Sequence, residues 1–340
     1  MMNKLIDQFW QAYLVNFLFW ISLAQGSVVF AAVLDITNAR WGRRYVQLSR
    51  YFAGFLPAGI ALFAILLLGR NHLFPWIAEP IPGKAVYLNV PFLAARGLFG
   101  LAILTMLSWK FMSATKNRYS HAARSGGSGW SVILVMAFMI VYSYVAVDLM
   151  MSLQPHWHST LFGAHFAVGS LYLGMAGLCF VGILSGGVPR EDRQKLCQLL
   201  FGFSLFWISL LWSQYIVIWY GDIPDEASFV YLRFYYMPWK AVSIAVLALG
   251  FVFPFSALMS RRAKLIGVVP FFSSASVALG LLLEKYLFVV PSLSPDKLGS
   301  IGVLALMAVA FAALFGLSYR FSVRRAKPEA RDSVSDGLIS

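Results

Sequence analysis

Long apolar runs separated by short polar stretches dominate the chain, in place of the short alternating segments expected of half-buried strands. A helix needs about 20 mostly apolar residues to cross a bilayer. Nine runs approach or exceed that length: 9–33, 51–69, 90–111, 129–149, 160–185, 197–219, 238–259, 265–289 and 299–319. The pattern predicts an all-α, polytopic integral membrane protein whose short connections pack neighbouring helices antiparallel. Glycines inside the runs (Gly97, Gly100, Gly169, Gly174, Gly177 and Gly280) predict places where helices approach closely. Met1 to Trp10 carries Lys4 and Asp7, and no small-residue cleavage site follows, so the first run reads as a retained helix.

A weak internal repeat suggests the larger organisation. Asp148, near the end of the fourth run, has Pro155 seven residues on, and Glu284, near the end of the eighth, has Pro291 seven residues on. The third run opens with Pro91-Phe92 and the seventh with Pro238-Trp239. Two four-helix bundles of the same orientation are expected, at 1–152 and 153–295, with a peripheral helix at 296–320. Acids and prolines are common at helix exits, so chance is the competing explanation. The tail at 321–340 is too polar to fold and is expected to be disordered on the cytoplasmic side. Ser125-Gly-Gly-Ser-Gly129 reads as a flexible linker.

Composition agrees with the runs. The 340 residues are 60% hydrophobic with mean hydropathy +0.73, and 12% are charged, against about a quarter in soluble domains. A net charge of +13 would suit nucleic acid, but the basic residues cluster between apolar runs. The connections after odd-numbered runs, together with the tail, hold 19 of the 27 Lys and Arg residues, and the opposite connections hold 7. The positive-inside rule then places the C-terminus in the cytoplasm and the N-terminus outside, with the lipid bilayer and not nucleic acid as the partner of this charge. Two cysteines, Cys179 and Cys197, cannot form a four-cysteine zinc or iron–sulfur site.

The chemistry is concentrated at one end. Asp148 to Gly163 packs a carboxylate, His156, His158 and a Ser-Thr pair between two apolar runs. Ionisable groups within spans are costly, at roughly 2.5–3.5 kcal/mol on insertion scales, and so point to function. Arg96 lies about 10 Å inside the third run at 1.5 Å per residue, within reach of Asp148 on the neighbouring fourth. The pair has two readings, a helix clamp or part of a site. His165, Gln214, Glu284 and Lys285 approach the same outer end, whereas the other half offers little beyond Gln25, Ser131, Ser204 and Ser273. No third ligand stands at helical spacing from His156 and His158, so no metal is assigned. A bis-histidine haem needs facing histidines on two helices, and only His165 is inside a run. Trp207, Trp212, Trp219, Tyr220 and Phe234-Tyr-Tyr236 read as interfacial belts. Asp222, Asp225 and Glu226 read as a solvated acidic loop able to meet a basic partner.

Where Asp148 to Gly163 is followed by Ser213-Gln-Tyr-Ile-Val-Ile-Trp-Tyr-Gly-Asp-Ile-Pro-Asp-Glu226, the sequence resembles the F-type membrane subunit of alternative complex III. That subunit belongs to the wider polysulfide-reductase NrfD-like family. Asn38-Ala-Arg-Trp41, His72-Leu-Phe-Pro-Trp76, Tyr87-Leu-Asn-Val-Pro-Phe92 and Phe253-Pro-Phe255 extend the resemblance over residues 10–295. Departures include a missing N-terminal helix, Leu149 in place of the family's Trp, Glu284 in place of an aspartate, and Gly250 in place of a histidine. The resemblance implies a subunit of a bacterial inner-membrane quinol:cytochrome c oxidoreductase. Its expected partners are a paralogous NrfD-like subunit, an iron–sulfur protein and a multihaem cytochrome c, which hold the haem and iron–sulfur clusters. Menaquinol or ubiquinol is expected at or near the subunit, with no redox centre in the chain itself. Asp148, His156 and His158 are the residues expected to transfer protons, with Arg96, His165, Gln214 and Glu284 lining an outer-side polar cavity. A purely structural anchor is the competing expectation, and a stand-alone transporter, which would fit the repeat, lacks the broken mid-membrane helix pair such proteins use.

Overall fold

Nine helices among the described residues are long and apolar enough to cross a membrane, and they coincide with the nine apolar runs. The computed structural model describes residues 2–120 and 128–335, with no strand among them. The first crossing is α1 (Met2–Ile36). The second is divided into α2 (Arg43–Ala53) and α3 (Leu56–Leu66), because Pro57 has no N–H to return to Ala53. α4 (Val90–Ser120), α5 (Gly129–Leu149), α6 (Phe162–Leu184) and α7 (Arg190–Gly221) follow. A short helix, α8 (Pro224–Phe234), precedes the seventh crossing, which consists of α9 (Trp239–Leu247), a π-helical turn (Ala248–Val252) and α10 (Phe253–Met259). The short α11 (Arg261–Leu265) leads to α12 (Val268–Leu293) and α13 (Ile301–Ser335).

Burial identifies the centre of the protein. In α1, 89% of the apolar window is buried, against 67% in α6 and α12 and 6% in α13. Lipid tails are as apolar as leucine, so close packing and interhelical hydrogen bonds, more than a hydrophobic drive, hold such helices together. α1 and α6 meet backbone to backbone. A Cβ at Gly174 would lie 2.2 Å from Gly26 C, and one at Gly26 would lie 2.0 Å from the Ser170 carbonyl oxygen. Ser170 Oγ donates to Ser22 Oγ at 3.0 Å, and Ser27 Oγ donates to the Gly174 carbonyl at 3.2 Å. The core that forms around this crossing draws side chains from both 1–152 and 153–295, so the two stretches share one apolar interior.

The π-helical turn has a local cause. Pro254 cannot donate to the Gly250 carbonyl four residues earlier, which disturbs the ladder there. Neighbouring helices supply the missing donors: Tyr172 OH reaches Gly250 O at 3.2 Å and Ser276 Oγ reaches Leu249 O at 2.7 Å. Gly280 lets the turn sit directly against α12, since a Cβ there would be 2.6 Å from Gly250 N.

Two expectations change at the opposite, basic end. Of the stretch expected to be a flexible linker, 125–127 lies outside the described residues, but Ser128 is buried and Gly129 begins α5. The Asp35 carboxylate accepts from Ser128 N at 2.8 Å and Ser131 Oγ at 2.5 Å, and so caps α5 from α1. The stretch 321–340, expected to be disordered, continues α13 as far as Ser335, and 336–340 lies outside the described residues.

Candidate functional site

The polar groups expected to form one outer-side cavity divide into two centres. The first is built on the last turn of α5, where Asp148 is 4% exposed. Arg96 on α4 grips it in fork geometry, with Nε 2.9 Å from Oδ2 and Nη2 2.9 Å from Oδ1. Tyr87 OH donates to Oδ1 at 2.9 Å, and the Tyr87 carbonyl accepts from both Arg96 terminal nitrogens at 3.3 Å. The guanidinium also stacks 3.9 Å from the ring centres of Tyr87 and Phe92. Burial and the adjacent carboxylate hold the Tyr87 phenol far above its usual range, so it stays a donor. The cavity beneath, between Phe17, Phe63, Leu93 and Tyr142, measures about 10 Å³, room for one water at most. Both oxygens of Asp148 are engaged by Arg96 and Tyr87, and the pair ties α4 to α5.

The second centre is built around Glu284, more than two turns inside the end of α12 and 1% exposed. That is deeper than the sequence reading placed it, because α12 continues through Pro291 to Leu293. His165 Nε2, from α6, shares a 2.7 Å hydrogen bond with Glu284 Oε1, and Trp207 Nε1, from α7, donates to the same oxygen at 3.0 Å. Lys285 Nζ pairs with Oε2, and its ammonium lies 4.6 Å from the Phe166 ring centre. A buried carboxylate survives in so apolar a place only with this many partners. His165 Nδ1 is buried with no partner among the described residues. Beside Glu284 lies a cavity of about 50 Å³ lined by Trp157, Gln214, Phe229, Arg233, Ser243 and Phe288, among others. It is mostly apolar and aromatic, with a carboxylate, a guanidinium, an amide and a hydroxyl on its wall, the composition expected of a pocket for an amphipathic ring.

A roof covers that cavity. It consists of α8 and the connection from Met150 to Leu161, and three contacts hold it together. Trp157 stacks on Phe229 with ring centres 3.7 Å apart and planes 4° apart. His158 Nε2 lies 3.2 Å from Glu226 Oε1. Arg233, 1% exposed, reaches into α12, donating through Nε to Leu287 O at 3.0 Å and through Nη2 to Phe288 O at 3.2 Å and Ser292 Oγ at 2.7 Å. Its guanidinium lies 3.5 Å from the Phe229 ring centre. Burial pushes the Arg233 guanidinium down to about 9, still high enough to keep it charged at neutral pH.

Several expectations are corrected by this arrangement. Asp148, His156 and His158 do not form one constellation: Asp148 is buried with Arg96 and Tyr87, His158 turns to Glu226, and His156 is exposed. Side chains two apart on an irregular connection point in different directions, and residue spacing cannot bring them back to the end of α5. Arg96 separates from His165, Gln214 and Glu284, which stay together near the second cavity. Gln214 there accepts from Ser159 Oγ at 3.4 Å. Trp207, read as part of an interfacial belt, is fully buried as a donor to Glu284. Glu226 is a roof contact, while Asp222 and Asp225 remain exposed.

Arg233, on the connection between the sixth and seventh runs, is buried against the second centre, as is Lys285. A signal for each was present. Lys285 follows Glu284 inside an apolar run, and Pro291 strips a donor from Leu287 O, which some side chain must replace. No family model matches the chain, and no curated protein matches it.

Proposed function

We propose that the chain is a membrane subunit of a quinol-oxidising electron-transfer complex of the alternative complex III type, with no redox centre of its own. The observation that carries this reading is the second cavity, an aromatic pocket with Glu284 on its wall and His165 behind that carboxylate. Oxidation of a quinol releases electrons and protons together. In this reading the electrons go to haem and iron–sulfur clusters in partner subunits. The protons need acceptors beside the quinol hydroxyl. Gln214 and Arg233 would orient a quinol, menaquinol or ubiquinol, and Glu284 with His165 would accept its proton, the free Nδ1 of His165 offering the next position for it. The outer-loop motifs that resemble those of the NrfD-like family support the same reading, under which the site would open toward the outer face of a bacterial inner membrane.

The test is to purify the complex from cells carrying an affinity-tagged chain. A multihaem cytochrome c, an iron–sulfur protein and a paralogous membrane subunit are expected to co-purify. Glu284→Gln is expected to lower quinol-to-acceptor turnover at least tenfold with haem content unchanged, toward the lower range of general acid–base contributions. A preparation devoid of haem and iron–sulfur subunits would overturn the proposal.

A second reading, a structural anchor for those partners, is favoured by the Arg96–Asp148–Tyr87 clamp, whose polar groups are engaged with one another. Under it, Glu284→Gln changes the amount of assembled complex and leaves the turnover of each assembled complex unaltered.

A further inference from the structure

At the opposite end of the bundle, two cations gather beside one stripe of α7, neither in an ion pair among the described residues although Glu191 and Asp192 stand in the same first turn. Arg193, Cys197 and Phe201 are spaced four residues apart and share a helix face. Lys264, from α11, is 7% exposed, and its ammonium lies 5.2 Å from the Phe201 ring centre. Among the described residues it has neither a hydrogen-bond acceptor nor an ion-pair partner within reach. Arg193 donates through Nη2 to Leu265 O at 3.2 Å, and its Nε is buried with no partner. Gly267 lies against this guanidinium, where an added Cβ would stand 3.7 Å from Nη1. A buried donor without an acceptor, as Arg193 Nε is, is costly, so the cluster has the character of a half-built anion site.

Depth and surroundings identify the anion. The 32 residues of α7 span about 48 Å at 1.5 Å per residue. Against a hydrocarbon core of about 30 Å, that leaves roughly 9 Å at each end in the headgroup layer. Arg193, in the first turn, falls in that layer. The Phe201 side chain leans back toward the helix N-terminus, as helical side chains do, bringing the Lys264 ammonium close to the same level. Leu265, Ile266, Val268 and Phe272, beside the two cations, are exposed and apolar. A soluble anion has no use for such surroundings, whereas a phospholipid places a phosphate on the cations and its acyl chains along the apolar residues.

We propose that Arg193 and Lys264 bind the phosphate of an anionic phospholipid from the leaflet at this end of the bundle. The site is independent of the Glu284 cavity and of the function proposed for it. The full chain, purified in a mild detergent, is to be exposed to equimolar phosphatidylglycerol and phosphatidylcholine and weighed intact by native mass spectrometry. Each cation near a charged membrane surface contributes about a fivefold preference. Wild-type protein is therefore expected to retain phosphatidylglycerol at least fivefold over phosphatidylcholine. Lys264→Met, close in shape and uncharged, is expected to lose at least most of that preference. Arg261→Gln with Arg262→Gln, which removes exposed charges from the same helix, is expected to change it less than twofold. Equal retention of the two lipids by the wild-type protein would overturn the proposal without reference to any variant. So would a preference as large in Lys264→Met as in the wild type, or displacement of the lipid by an equal concentration of inorganic phosphate, which would mark a site for free anions.

Discussion

Arg233 Nε donates to the Leu287 carbonyl at 3.0 Å, and that carbonyl is open because Pro291, four residues on, has no N–H to return to it. One side chain from a surface helix thus repairs a defect in a membrane-spanning helix, and in doing so fixes the roof over the Glu284 cavity. Arg233→Leu strips donors from Leu287 O, Phe288 O and Ser292 Oγ together. A stability loss of about 1–3 kcal/mol is expected, because Leu287 O is left stranded while Phe288 O keeps the Ser292 hydroxyl. Thermal unfolding in detergent measures it. In a Pro291→Ala background the restored N–H can take Leu287 O, so the same substitution should cost about 1 kcal/mol less. Additive losses would refute the repair.

Asp148→Asn keeps the shape of the side chain and leaves the Arg96 charge without its counter-ion. Breaking a buried pair this way typically costs about 3–5 kcal/mol. Reduced yield and a lower unfolding temperature are expected, with the turnover of each surviving complex unchanged, because neither Asp148 oxygen faces the larger cavity. A turnover defect at normal stability would return Asp148 to the proton path.

Gly174→Ala is expected to be more damaging than Gly97→Ala. Its methyl group would meet the α1 backbone at Gly26 and Ser27, which cannot rotate aside. Gly97→Ala would meet the Phe63 ring, a side chain and not a backbone. Overpacking costs about 1–3 kcal/mol, and Gly174→Ala should fall at or above the top of that range and Gly97→Ala toward the bottom. Paired unfolding curves for the two variants test the order.

Trp207 both donates to Glu284 and lies over Gly250, where an added Cβ would come within 3.2 Å of its ring. Gly250→Ala should therefore destabilise the wild-type protein and be better tolerated beside Trp207→Phe, whose smaller ring leaves room. Trp207→Phe alone is expected to cost about 1.5–3 kcal/mol, the range for a hydrogen bond to a charged group. A double-mutant cycle that shows no coupling between the two positions would dismiss the contact.

The order of crossings was legible in the chain because a bilayer admits few solutions: an apolar run of sufficient length must satisfy its own backbone, and a helix does so locally. The Arg96–Asp148 pair was legible for the same reason, since a single connection joins the two helices and each residue lies near its end. The sequence by itself thus determined an all-α polytopic membrane fold, its nine spanning helices and one of the two polar centres. Tertiary structure decided the rest. His165 and Glu284 are 119 residues apart in sequence, and only the packing of α6 against α12 brings them into contact. Arg233, Lys285 and Trp207 look in sequence like boundary residues, because composition records that a residue is charged or aromatic and not which way its helix turns it. The same limit drew Asp148, His156 and His158 into one imagined site. Proximity along the chain carries direction only within a regular helix, and the connection that follows α5 is not one.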